Sequence, residues 1–269
     1  MPAIEVADPA QIIATLTAHV REAGTLALSM SQRPLKNWTK EGSSVVCEAD
    51  VAVDDLLRLR LTAEGEGFGW LSEESVDDPA RLSARYVWIV DPIDGTRAYL
   101  AGLADWSVSA ALVENGRPIA ACLYAPVTAE LFAAAAGAGV TLNGTAIAAT
   151  AGAALTNARV AGPNNFLAQL AKITPPFTVV PRVHSLALRL ARVAQGTIDI
   201  AVASANSYDW DLAAADLLVH EAGGALTPFG GGVVIYNRSV PRHGALVAAG
   251  RERHATLIEI LRDERLASS

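Results

Sequence analysis

Along residues 11–30 the apolar side chains Ile12, Ile13, Leu16, Val20, Ala23 and Ala27 return every three or four positions, the spacing of a helix with one face against a core. A loop is expected over 33–47, where Pro34, Gly42 and paired serines break the pattern. Helical spacing resumes over 50–62, with Val53, Leu56 and Leu57 inward and Asp54, Asp55 and Arg58 facing water. Short apolar runs at 68–71 and 86–90 read as strands, the second stopping at Asp91-Pro92. Residues 106–113 alternate in part, Glu114-Asn115-Gly116-Arg117 carries hairpin chemistry, and 118–124 forms the returning strand. A second hairpin is expected around 137–144. The first half therefore predicts helices on an antiparallel-rich sheet, which is α+β in character.

The rhythm then changes. Strands near 158–161, 177–180 and 198–202 alternate with helices from Asn164 and over 185–194. A helix at 210–222 follows, ended by Gly223-Gly224 where a left-handed cap is expected. A strand at 246–249 and a helix at 254–265 close the chain. This is α/β alternation. A boundary near residue 150, inside the Ala/Thr/Gly-rich stretch 148–154, divides an α+β lobe (1–150) from an α/β lobe (151–269).

Composition narrows the classes. With 51% hydrophobic and 18% charged residues, 269 residues build a large core, and disorder is excluded. Twenty-one Lys+Arg against 28 Asp+Glu leave a net charge of −7. No broad polyanion-binding face is expected, so neither a nucleic-acid polymer nor a membrane surface is an expected partner, while a small anion held by a metal or by backbone N–H groups stays open. Cys47 and Cys122 are too few for a disulfide scaffold and have no neighbours at metal-ligand spacing. Residues 1–10 lack the basic-then-apolar order of a signal peptide, and stretches such as 131–140 are too short to span a bilayer. A cytoplasmic location is expected.

Acidic residues gather where core strands or helices end: Glu73 and Glu74 in WLSEES, Asp91 and Asp94 in DPIDGT, Asp50 in CEAD, and Asp209 with Asp211 in YDWD. Any one of them alone would read as a cap or a solvated turn. In DPIDGT an apolar strand delivers Asp91 to its carboxyl end and Asp94 follows on the same turn, so two carboxylates and the Ile93 carbonyl can face one hard cation. The N–H groups of Gly95 and Thr96 would then point at an anion beside it.

WLSEES, DPIDGTRAYL and YDWDLAAADLLVHEAGG, in this order and at these separations, resemble the signatures of the inositol monophosphatase superfamily of metal-dependent, lithium-inhibited phosphatases. GVTLNG at 139–144 is similar to a family hairpin, and the resemblance runs over about 40–224. It implies a layered α-β-α-β-α sandwich. It implies Glu73, Asp91, Asp94, Asp211 and the Ile93 carbonyl as ligands of two or three Mg²⁺ ions, in a site divided between the two lobes. In two-metal phosphatases the ions lie about 3.5–4 Å apart and serve both the attacking and the leaving oxygen. Glu73 would also act as a base toward the attacking water, Thr96 and Asp50 would orient that water, and Gly95 and Thr96 would bind phosphate oxygens. The product is inorganic phosphate from a small phosphate monoester, and the resemblance allows a homodimer.

The choice of ester rests on finer features. Arg189, on the helix that begins at Ser185, falls where the 3′(2′),5′-bisphosphate nucleotidase branch places a substrate-binding lysine, and Ser185 and Arg189 are taken as substrate-binding residues. The segment before Trp210 offers Ser204, Asn206, Ser207 and Tyr208 and lacks the glutamate that inositol-specific members present to ring hydroxyls. The favoured ester is adenosine 3′,5′-bisphosphate at its 3′-phosphate; the alternative is inositol 1-phosphate or histidinol phosphate. Two positions depart from the nucleotidase pattern Lys-x-Asp-x-Ser-Pro-Val-Thr-x-Ala-Asp: Gly42 stands at its first Asp and Cys47 at its Thr, with Glu41 the nearest carboxylate. Those departures leave room for another class, a non-catalytic sugar-phosphate or nucleotide-binding protein. His184 can polarise a substrate, whereas His19, His220, His243 and His254 show no ligand spacing. Trp70, Trp88 and Trp106 read as core. Lys36 and Lys40 lie in a loop that either closes over the phosphate or stays solvated.

Overall fold

The computed structural model describes residues 9–40, 45–63 and 67–267. The chain runs α1 (Pro9–Met30), β1 (Asn37–Thr39), β2 (Val45–Cys47), α2 (Glu48–Thr62), β3 (Gly69–Ser72), a 3₁₀ turn (Pro79–Ser83), β4 (Tyr86–Asp94) and α3 (Thr96–Leu100). Then come β5 (Ser107–Glu114), β6 (Arg117–Ala125), β7 (Glu130–Ala135), β8 (Gly139–Leu142) and β9 (Thr145–Ala146). Next are β10 (Arg159–Ala161), α4 (Asn164–Ile173), β11 (Thr178–Val179), α5 (Leu186–Ala194), β12 (Ile200–Ala203) and β13 (Ser207–Tyr208). The chain ends with α6 (Asp209–Glu221), β14 (Gly224–Pro228), β15 (Arg242–His243), β16 (Leu246–Gly250) and α7 (Arg251–Ala267).

Seven strands form one sheet in the order β3-β4-β5-β6-β7-β8-β9, antiparallel except for the parallel β3–β4 pair. Five form a second, β11-β10-β12-β16-β14, parallel from β11 to β12 and antiparallel beyond. Successive strand residues point to opposite faces, and that alternation generates the layers. On β4 and β5, Trp88, Val90, Ala110 and Leu112 pack with Leu16, Val20, Val53 and Leu57 of α1 and α2. Their neighbours Ile89, Ala111 and Val113 pack on the opposite face with Leu188, Leu190, Leu212 and Leu218 of α5 and α6. The same helices meet Ala201, Ala203, Leu246 and Ala248 of the second sheet. Its other face, with Ile200, Val202, Val247 and Ala249, is covered by Phe166, Leu170, Leu257 and Ile258 of α4 and α7. The outcome is a five-layered α-β-α-β-α sandwich, and strands buried on both faces explain the near-continuous apolar runs in the sequence. Residue 150 falls between β9 and β10, and the core cluster around α5 and α6 draws residues from both sides of it. Among the described residues no helix is long and apolar enough to cross a membrane.

Three features depart from the sequence reading. The stretch 33–47 contains a short antiparallel pair, with Trp38 opposite Val46; Glu41 and Gly42 lie outside the described residues. β4 does not stop at Asp91-Pro92 but continues to Asp94, with a register shift against β5 between Asp91 and Asp94. A bulge is where a strand tolerates a proline, because no ladder N–H is required there. Asp54 is buried at 4% exposure instead of facing water. It accepts hydrogen bonds from Ser72 Oγ (2.5 Å) and Ser75 Oγ, so α2 carries a polar stripe at Asp50 and Asp54, one turn apart.

Phe132 is fully buried in the core between the large sheet and the α5–α6 layer. Truncation should leave a cavity there, and Phe132→Ala is expected to cost about 3–5 kcal/mol, read as a lower urea midpoint with an unchanged slope.

Candidate metal centre and active site

The bulge in β4 sets the geometry. It lets Asp91 and Asp94 turn toward the first turn of α6, where Asp211 sits, and one oxygen from each of the three carboxylates lies within 4.8 Å of the others. Asp91 is 1% exposed and Asp94 7%. Each is held differently. Asp211 accepts from Tyr208 N (2.6 Å) in a capping arrangement at a helix N-terminus, where the dipole favours a carboxylate. Asp94 Oδ2 accepts from Ser185 Oγ and from Ala187 N, both at 2.6 Å, at the start of α5. Asp91 Oδ1 is buried without a hydrogen-bond partner. Together with Glu73, Ile93, Gly95 and Thr96 they line a cleft of about 290 Å³.

The electrostatics follow from burial. Asp91 and Asp211 are pushed well above the ordinary carboxylate range by burial and then by the neighbouring carboxylates, and Asp94 is raised by burial despite its hydrogen bonds. Glu73 is pushed up to about 7, again by burial and then by Glu74. Such a cluster stays ionised only beside a compensating positive charge. The donors are all hard oxygens, one of them an orphaned buried carboxylate oxygen, and that set fits Mg²⁺.

On the other side of Glu73 a second arrangement forms. Asp50 Oδ2 accepts from Cys47 N and from Cys47 Sγ, both at 2.8 Å, which leaves Oδ1 facing Thr96 Oγ1 at 3.0 Å. Thr96 Oγ1 is also 3.1 Å from the Ile93 carbonyl oxygen. Burial pushes the Cys47 thiol up to about 12, so it remains a donor. Cys47 thereby fills the capping position expected of a threonine. Gly95 adopts φ +96, and a Cβ there would come within 3.3 Å of Ser185 N and 3.4 Å of Asp105 O; only glycine brings the loop this close to α5.

Most of the sequence-designated residues meet in this cleft. Three do not line it: Asp50, itself buried, meets it only through Thr96, and Ser185 and Arg189 are engaged elsewhere. Ser185 is fully buried, with its hydroxyl bonded to Asp94 and accepting from Leu188 N (2.9 Å); it positions a carboxylate and has no surface for substrate. Arg189 does not line the cleft: its guanidinium donates to the carbonyls of Val202 (3.0 Å) and Val183 (3.2 Å), because its place on α5 turns it toward β12. Lys40 is partly exposed, and its Nζ donates to Glu73 O (3.0 Å) and pairs with the Glu74 carboxylate. Trp70, Trp88 and Trp106 are core residues. Cleft residues absent from the sequence reading are Val45, Arg97, Ala98 and Arg182, while His184 joins them paired with Asp105. No local motif marks these residues, and Asp105 and His184 are 79 positions apart.

A family model described as the inositol monophosphatase family matches residues 8–266. The chain is 32% identical over 196 residues to an inositol-1-monophosphatase of Mesorhizobium japonicum, covering 70% of this chain and 73% of that protein. It is 33% identical over 217 residues to a histidinol-phosphatase of Mycobacterium tuberculosis, covering 74% and 82%. Its fold is similar to the crystal structure of the extragenic suppressor protein SuhB of Bartonella henselae, with a TM-score of 0.82, 27% identity and coverage of 94% and 98%. It is also similar to an IMPase of Thermotoga maritima, with a TM-score of 0.80, 25% identity and coverage of 94% and 97%.

The raised carboxylates give a signed pH dependence. As pH rises, the unfolded chain releases these protons near the ordinary value of 4.5 while folded Glu73 holds its own to about 7, so the metal-free protein loses stability across that window. Its melting temperature should fall from pH 4.5 to 7, Mg²⁺ should raise it more at pH 7 than at pH 5, and Asp91→Asn should flatten both trends in a thermal-shift titration. Because Ser185 orients Asp94, Ser185→Ala is expected to weaken Mg²⁺ binding about 10–100-fold, measured by calorimetry.

Proposed function

Because the chain belongs to the inositol monophosphatase family and is a metal-dependent phosphoric monoester hydrolase, we propose that its acidic cleft hydrolyses a small phosphate monoester by direct attack of water. The convergence of Asp91, Asp94 and Asp211 to within 4.8 Å carries this reading. These three, with Glu73 and the Ile93 carbonyl, would hold two or three Mg²⁺ ions. When bound, the ions supply positive charge that offsets the ester dianion and polarise the attacking water.

The chain's own groups do the rest. Thr96 Oγ1, its proton directed to Asp50 or to the Ile93 carbonyl, accepts a hydrogen bond from a water and fixes its line of approach. Glu73, which lines the cleft with Thr96, would take the proton the water sheds. Gly95 and Thr96 present backbone N–H groups to the phosphate oxygens. Cys47 acts one step back, holding Asp50 so that one carboxylate oxygen stays with Thr96. No covalent intermediate on the protein is needed.

Two ester classes compete. Adenosine 3′,5′-bisphosphate is supported by the absence of a glutamate before Trp210, where Ser204, Asn206, Ser207 and Tyr208 stand, though no longer by Arg189. Inositol 1-phosphate and histidinol phosphate are supported by the names of the relatives. Parallel phosphate-release assays on the three esters with Mg²⁺, repeated with Li⁺, separate them. Asp94→Asn should lose about 10²–10³-fold in kcat, the scale of removing one charge-stabilising group, while remaining folded by circular dichroism. Unchanged phosphate release from the folded variant would refute the assignment.

A further inference from the structure

Beside Glu73, Asp91, Asp94 and Asp211, the same cleft is lined by Arg97, Arg182 and His184. In a chain of net charge −7, an arginine beside an acidic cluster with no partner of its own calls for a reason. Arg182 is exposed and has no hydrogen-bond partner among the described residues. Arg189 shows the contrast, since its donors are spent on the carbonyls of Val183 and Val202.

His184 is oriented. Asp105 Oδ2 lies 2.6 Å from His184 Nδ1 and accepts from His184 N at 2.6 Å, while Asp105 O accepts from Ser185 N at 3.1 Å. The residue that aims the imidazole thus also anchors the turn that delivers Ser185 to Asp94. With Nδ1 engaged, Nε2 is the ring nitrogen left for a ligand, and among the described residues it has no partner. Arg182 supplies a permanent charge with several N–H donors, and the contact with Asp105 fixes the position of the His184 ring.

With the scissile phosphate held at the carboxylates, Arg182 and His184, which line the same cleft, are available to the alcohol part of the ester. We propose that Arg182 and the Asp105-held His184 form a second anion site, so that the preferred substrates carry a further phosphate or carboxylate on the alcohol. Asp105 is the positioning residue of this site. The inference rests on the phosphatase reading, and it names side chains that bind the part of the substrate that is not hydrolysed.

Paired esters test it. Adenosine 3′-phosphate and adenosine 3′,5′-bisphosphate share a scissile bond and differ by one phosphate; glycerol 3-phosphate and 3-phosphoglycerate are both primary three-carbon esters and differ by one carboxylate. With Mg²⁺, the wild-type protein should favour the more negative member of at least one pair about tenfold or more in kcat/KM, chiefly through KM. The pair that shows the preference identifies the anion. Arg182→Ala, His184→Ala and Asp105→Asn should each bring that ratio toward one, and Arg182→Lys should restore part of it. Phosphate release from all four esters with ratios near one, or a preference that survives in Arg182→Ala, overturns the second anion site while leaving the phosphatase intact. No Mg²⁺-dependent release from any of the four overturns the phosphatase reading and the inference with it.

Discussion

Buried carboxylates that repel one another are the constraint on which the rest of this structure depends. Asp91, Asp94 and Asp211 approach within 4.8 Å, the first two buried and the third partly so, an arrangement that a fold cannot hold for free. What offsets part of the cost is visible: a capping bond from Tyr208 N to Asp211, and the Ser185 hydroxyl and Ala187 N–H on Asp94. Asp91 Oδ1 has nothing equivalent. The remaining imbalance is a demand for a divalent cation, and the same demand tunes the cleft for a doubly negative ester.

The layered sandwich makes that arrangement affordable in space. α5 and α6 lie between the two sheets, and both begin at the cleft, so two helix N-termini reach the acidic cluster from a rigid middle layer. β4 brings its carboxyl end to the same place, and its bulge converts a strand that would alternate faces into one that turns Asp91 and Asp94 the same way. The hydrophobic alternation that builds the layers and the polar ends that build the site are two consequences of one strand register.

The basic residues that line the cleft beside its carboxylates also bear on specificity. Of its basic lining residues, Arg182 and His184 belong to the loop before α5 and Arg97 to the short α3 after β4. Arg189 and Ser185 illustrate how local position decides role: both lie at the start of α5, yet one is tied to strand carbonyls and the other to a carboxylate.

The chain order and type of the main helices and strands were legible in the sequence, because periods of two and 3.6 report which faces are buried. So were the convergent carboxylates, because DPIDGT and YDWD place acids at the ends of apolar elements. Local reading failed where a distant partner decided the outcome. Asp54 looked solvated on α2 until Ser72 and Ser75 met it. Pro92 looked like a strand end until β5 paired beyond it, and the Asp105–His184 pair had no signature at all. Sequence by itself determined the order of helices and strands and the acids at their ends, since hydrophobic pattern and charge are properties of segments. Which oxygen faces which donor, and which arginine is spent on the backbone, were decided only in the tertiary structure, because hydrogen bonds form between atoms a few ångströms apart in space however far apart they lie along the chain.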